Sequence, residues 1–391
     1  FSMAAPELDP KSFFSLKSYH VSEELGFVLS DPLETLPPYY MPWMDIALQI
    51  PELVQSHELR IRINKMPLLS SRFLQKHREL RLARLALSMM TMGYIWQEGE
   101  DNIVEMLPHN LAIPYWEVSQ RLGLPPILTH ADSVLANWKK KDVQGPFTME
   151  NLELLITLPG GDSAEGFFLV TLLVELAGAP AVTVKNNFLK GSSCLGIEIS
   201  LWFSFDISYL FVKWKDNTCM PNGLVYEGVQ TEPMAYSGGS AAQSSLLHCF
   251  DELLGVKHKE QSAFLTRMRK YMPPSHRQLI QDISLQPSLK SFVQRQGSER
   301  LNEAFQDCLT KLLAFRNHHI NTVSRFITVP AARARQRTGS DGELISKAPT
   351  ALEERGTGGS GYMTFLKTVR DQTKGTLLLS LISLLLILSE T

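Results

Sequence analysis

Cysteine is scarce and unpatterned in this chain. Of 391 residues only Cys194, Cys219, Cys249 and Cys308 are cysteines, and they form no Cys-x-x-Cys pair. That excludes a disulfide scaffold and the spacings of a zinc module. Cys308 lies on a helical stripe and Cys249 in an apolar run, which predicts buried free thiols in a reducing compartment. Net charge is nearly absent too: the formal value is −2, which gives no electrostatic case for nucleic acid or an acidic membrane as partner. No Gly-Lys-Ser/Thr completes a phosphate-binding loop. A hydrolytic triad, a glycosidase carboxylate pair and a His-Glu metal helix are all missing. Phe1 to Pro10 has neither a basic nor an apolar leader segment, so a cytoplasmic location is expected.

What is present is helical. Hydrophobic residues make up 44 % and charged residues 20 %, a globular balance with ample material for a core. Strand signals are few, and long runs of helical period are broken by Pro and Gly. These patterns predict an all-α protein. A small helical domain spans 12–158 and a large helical domain 159–330, followed by a polar loop over 331–355. A glycine-rich loop and helix cover 356–374, and an apolar tail covers 375–391.

Within this frame the period predicts a helix from about Ser71 to Trp96 and another over Ala131 to Asp142. The run Gly166 to Ala179 is apolar around its whole circumference except at Thr171 and Glu175. Such a helix is expected to pass through the middle of a domain, ended by Gly178 and Pro180. Asn187 to Lys213 lacks a helical stripe and reads as extended structure. The tail from Thr376 to Leu388 has no charge. It is shorter than the about 20 residues of a membrane span, and a docked helix, a tail anchor and a mistranslated terminus all stay open.

One histidine stands where a helix expects Leu or Phe. Apolar residues recur at Leu301, Phe305, Cys308, Leu312, Phe315, Val323 and Phe326, and His319 falls on that stripe. His318 is turned about 100° away. An imidazole so placed is either a hydrogen-bonded core residue or an axial ligand to a buried metal, above all haem iron. Spacing does not decide between them. Arg316, three residues earlier, suits a nearby acid or a haem propionate, or else a solvated surface. Asp251 reads as a capped or paired carboxylate at a core edge. Two glycine-rich turns, Ser237 to Ser244 and Gly356 to Ser360, each lead into a helix; they are hinges or places where backbone approaches a ligand.

Several strings resemble one family. RLARLALSMMTMGYIW, LPPILTHADSVLANWKKKD, GFFLVTLLVE, GLVYEG, GGSAAQSS, FDELLG, RKYMPPSHR and RGTGGSGYMTFLKTVR are similar to indoleamine 2,3-dioxygenase, over about nine-tenths of the chain. His130 and Thr171, where the better-known paralogue carries Tyr and Ser, point to the family's second paralogue. The resemblance implies a helical two-domain protein holding haem b, which opens the pyrrole ring of L-tryptophan with O₂ to give N-formylkynurenine. It further implies a monomer acting in the kynurenine pathway and in immune modulation. In the motif HHINTVSRF, His319 corresponds to the proximal iron ligand, steadied by Arg316 and Asp251. Phe167 and Thr171, with Val170 beside them, match the distal pocket, and His130 a pocket residue from the small domain. Gly239, Ser240 and Ala241 match the turn beside haem and substrate; Thr357, Gly358, Gly359 and Ser360 match a loop that closes over it. No general acid or base is required.

The chain also departs from the family. The helical pair expected before Trp214-Lys215-Asp216-Asn217 is replaced by Asn187 to Lys213, and Ser204 to Tyr209 holds no arginine to clamp the substrate carboxylate. Losing such a contact costs roughly 2–5 kcal/mol of binding. Two hypotheses follow: a tryptophan-cleaving haem dioxygenase, and a haem-binding isoform of low activity that acts through protein contacts.

Overall fold

The computed structural model describes residues 15–182, 214–215, 217, 219–325, 329 and 361–389, with backbone alone for 100, 101, 362 and 378–389. Prolines open the first short helices. Pro42 and Pro51 sit in the first turns of α1 (Met41–Ala47) and α2 (Ile50–Gln55), where a missing N–H leaves no bond unmade. After α3 (Leu59–Lys65) comes α4 (His77–Trp96), buried on every side from Leu80 onward. It starts later than the periodicity predicts, because Ser71–Phe73 forms a separate 3-10 turn. The Glu79 carboxylate then accepts from the backbone N–H groups of Gln75 (2.8 Å) and Lys76 (3.0 Å), capping the new helix start.

α5 (His109–Leu122) is followed by α6 (His130–Ser133), only four residues long. The longer helix expected through Lys139 to Lys141 does not form. Asp132 is drawn into distant bonds: Arg84 Nε donates to its Oδ1 at 2.9 Å and Arg84 Nη2 to its Oδ2 at 3.1 Å. Asn137 is likewise committed to the backbone of Ile156. Such tertiary bonds outweigh local helix propensity. Among the described residues the strands are two-residue ladders, β1 (Met106–Leu107) parallel to β4 (Val225–Tyr226) and β2 (Lys139–Lys140) antiparallel to β3 (Leu152–Glu153), beside the isolated bridges Ser22–Gly26 and Leu224–Met234.

α7 (Gly161–Val182) continues through Gly178 and Pro180, where the sequence suggested a stop. Gly178 is needed for close approach, since a Cβ there would collide with the side chain of Leu246. That leucine belongs to α8 (Ser245–Leu254), which is succeeded by α9 (Ser262–Arg269), α10 (Pro274–Ser284) and α11 (Leu289–Gln296). The long α12 (Glu299–Val323) packs along α13 (Tyr362–Ser389), which runs unbroken through Gly375. A single buried apolar cluster extends from Val21 to Leu312 and includes residues on both sides of 158/159. The fold is all-α, as the periodicity predicts. The expected extended stretch Asn187 to Lys213 and the 331–355 loop lie outside the described residues, as do Thr357, Gly358, Gly359 and Ser360.

Candidate functional site

Burial on α12 follows Phe305, Cys308, Leu309, Leu312, Arg316, Ile320 and Val323. The buried face thus rotates onto Arg316 rather than Phe315, and His319 lies at its margin. Arg316, which alone could have been a solvated charge, is 8 % exposed. Its Nη2 donates to both oxygens of Asp251, at 2.6 and 2.8 Å, and its Nη1 donates to the hydroxyl of Thr373. Asp251 also bonds His258 Nε2 at 2.7 Å, and His258 Nδ1 lies 2.7 Å from Gln372 Oε1. Burial alone would raise the Asp251 carboxyl, but Arg316 and His258 outweigh it and hold it below the usual carboxylate range. α8, α12 and α13 are therefore joined one helical turn before His319. Sequence reading found the Arg316 and Asp251 pair but missed His258, Gln372 and Thr373, none of which lies on a recognisable spacing.

His319 is half-buried, whereas His318 is exposed. Burial, with a smaller contribution from His318, pushes the His319 pKa down to about 4. No hydrogen bond contributes to that shift. A neutral imidazole with an uncommitted nitrogen is the form that ligates a metal. Among the described residues no three His, Cys, Asp or Glu side chains gather to hold a metal ion.

α7 presents an apolar face. It was expected to be covered on all sides, yet less than half of its apolar stretch is buried. Phe167, Val170, Thr171 and Val174, spaced by three and four, are all half-buried and share one face. A Cβ built at Gly166 meets nothing within 4 Å. α8 packs against both α7 and α12, while those two helices share no comparable contact with each other. A half-exposed apolar face on α7 and a half-buried imidazole on α12, each on a helix that packs against α8, are the features a flat apolar cofactor with one nitrogen ligand would use. The Thr171 hydroxyl donates to the Phe167 carbonyl at 2.7 Å, leaving its lone pairs and methyl group to a ligand.

The first glycine-rich turn leads into α8. Gly239 is buried, Ser240 half-buried and Ala241 exposed. The Ser240 hydroxyl accepts from the Ala242 N–H at 3.2 Å and that of Ser244 from the Leu247 N–H at 3.3 Å, capping the two helical segments that follow. Two histidines hold this turn. His248 Nε2 lies 3.0 Å from the Ala242 carbonyl while Arg269 Nε donates to its Nδ1 at 3.1 Å, which fixes the proton on Nε2. His130 is 4 % exposed; its Nε2 lies 2.9 Å from Glu175 Oε1, and its backbone N–H donates to Gln243 Oε1 at 3.0 Å. Glu175 and Gln243 had no assigned role in the sequence. A carboxylate in an otherwise apolar helix was the available signal, because it must find a partner once buried.

The family model for indoleamine 2,3-dioxygenase matches residues 15–195 and 200–376, stopping where the apolar tail begins. The chain is 46 % identical to indoleamine 2,3-dioxygenase 2 of Mus musculus, over 93 % of this chain and 96 % of that protein. It is 42 % identical to indoleamine 2,3-dioxygenase 1 of Rattus norvegicus, over 93 % and 96 %. A myoglobin of Haliotis madaka is 35 % identical over 92 % of this chain and 98 % of its own length. With the family model spanning nearly every described helix, the chain belongs to the indoleamine 2,3-dioxygenase family.

Proposed function

We propose that this protein is a haem-dependent dioxygenase that opens the indole ring of L-tryptophan with O₂ to give N-formylkynurenine. The observation that carries the reading is His319: a half-buried imidazole with no hydrogen bond among the described residues, one turn beyond a clamped Arg316 and Asp251 pair, on a helix that packs against α8 as α7 does. Haem b supplies iron chemistry that delivers both oxygen atoms of O₂ to the indole ring. His319 would hold the haem iron, and Arg316 with Asp251 would fix the helix that carries it. Phe167, Val170 and Thr171 form a dry wall that orients the indole. Gly239, Ser240 and Ala241 bring backbone close to substrate. None of these groups acts as a general acid or base. Their work is to exclude water and hold the ring in register.

A relative named as a myoglobin matches over nearly the same span, so binding of haem or of dioxygen does not test the reading; product does. Purified, reduced, haem-loaded protein incubated with L-tryptophan and O₂ is expected to form N-formylkynurenine, read by its ultraviolet absorbance. Bound haem with no product would overturn it.

A further inference from the structure

We propose that Glu175 and His130 form a positioning pair that sets the separation between α7 and the Gly238–Ser244 turn, and with it the fit of an indole amino acid; this rests on the function proposed above. The two side chains are 3 % and 4 % exposed. Glu175 Oε1 takes both the His130 Nε2 contact at 2.9 Å and the hydroxyl of Ser244 at 2.6 Å. The backbone N–H of His130 donates to Gln243 Oε1 at 3.0 Å, and Gln243 Nε2 donates to the Gly238 carbonyl at 2.7 Å. The carboxylate thus joins α6, α7 and Ser244 at one end of the turn, and His130 extends the link through Gln243 to Gly238 at the other.

Stability is a poor reason for this network. Glu175 Oε2 is enclosed and has no hydrogen-bond partner among the described residues, and a half-satisfied buried carboxylate is destabilising. Two apolar side chains in its place would pack at no such cost. What the pair supplies is direction. Thr171 lies one helical turn before Glu175 and Phe167 two turns before it, so any shift of the carboxylate moves the wall these residues form. His130 spends its Nε2 on Glu175, so its influence on a ligand passes through α7 and the turn. His130 and Glu175 are positioning residues, and neither touches the reacting atoms.

The double variant Glu175→Leu with His130→Phe separates positioning from stability in the full, haem-loaded chain. His130→Phe alone strands a buried carboxylate and should lower the thermal midpoint; the double variant should recover it, since no charge is left unpaired. Tryptophan affinity, read by titration of the Soret band, should nevertheless fall about tenfold in the double variant, a size typical of sub-ångström misplacement. Amide exchange at Ala242 and Gln243 should speed up alongside. His130→Gln, which keeps a side-chain donor, should restore both readouts. Exchange and affinity within about twofold of the parent in a double variant of recovered stability would overturn the proposal. If the parent chain bound no tryptophan, the proposed function would fall, and amide exchange would still decide the role of the pair.

Discussion

α4 and α7 are the two long apolar helices of the first half of the chain, and they are used in opposite ways. α4 carries charged residues, including Arg81 and Arg84, yet it is buried on every side from Leu80 to Trp96. α7 is the more apolar, with Asp162, Glu165 and Glu175 as its charged residues, yet it leaves Phe167, Val170, Thr171 and Val174 half-uncovered. Composition therefore does not tell which helix lies at the centre. The arginines of α4 are admitted because partners wait for them: Arg84 finds Asp132 and the carbonyls of Pro125 and Ile127, and Arg81 the carbonyl of Ala131. The face of α7 that stays half-exposed is apolar, the kind of surface that a ligand covers.

The contrast can be broken most severely from the far side of the site. His319→Ala should abolish haem retention after gel filtration, read at the Soret band. His318→Ala should leave the band nearly unchanged, and equal losses would mean that the phase assigned to α12 is wrong.

On the α4 side, Asp132→Ala leaves a guanidinium buried without its partner and should cost about 3–5 kcal/mol in urea unfolding. Apolar truncation separates the helices directly. Leu87→Ala, at a fully buried position of α4, should cost roughly 2–5 kcal/mol. Val174→Ala on α7 should cost the haem-free protein about 1 kcal/mol or less. Similar costs at the two sites in haem-free protein would remove the distinction.

Acid sharpens it next. Burial pushes the His248 pKa down to about 4 and that of His276 to about 3; next to each, Arg269 and Arg81 respectively act in the same direction. A lowered histidine means that the unfolded chain binds the proton first. Stability is complete above about pH 6.5 and is lost as pH falls toward the folded values, by roughly 2 kcal/mol per histidine between pH 7 and pH 5. A urea midpoint that stays flat over that interval would contradict this assignment. His248 makes the smallest and most local effect. His248→Gln keeps a donor toward Ala242 and should restore most of the stability at pH 5 that the parent loses at this site.

Much of this was legible in advance. Helical period identified α4, α7 and α12, and the step from Phe315 to Val323 singled out His319. Resemblance joined Arg316 to Asp251 before any coordinate did so. Other features were not legible, for definite reasons. The helix expected after Asp132 gave way to a strand pair because Arg84 and the Ile156 backbone, far off in sequence, claimed Asp132 and Asn137. Glu175 stood out as a lone carboxylate, but its partners His130 and Ser244 lie on other elements, and no local spacing announces them. His258 was unreadable for the same reason: its link from Asp251 to Gln372 exists only because α13 lies beside α12.

The sequence by itself determined the helical class, the family and the identity of one special histidine, because periodicity and motif spacing are local properties that a chain carries unfolded. Tertiary structure alone decided which apolar face stays uncovered, which buried charges are paired, and that the imidazole at 319 is held neutral. Those outcomes depend on what the folded chain brings within a few ångströms, and desolvation and hydrogen bonding act only at that range.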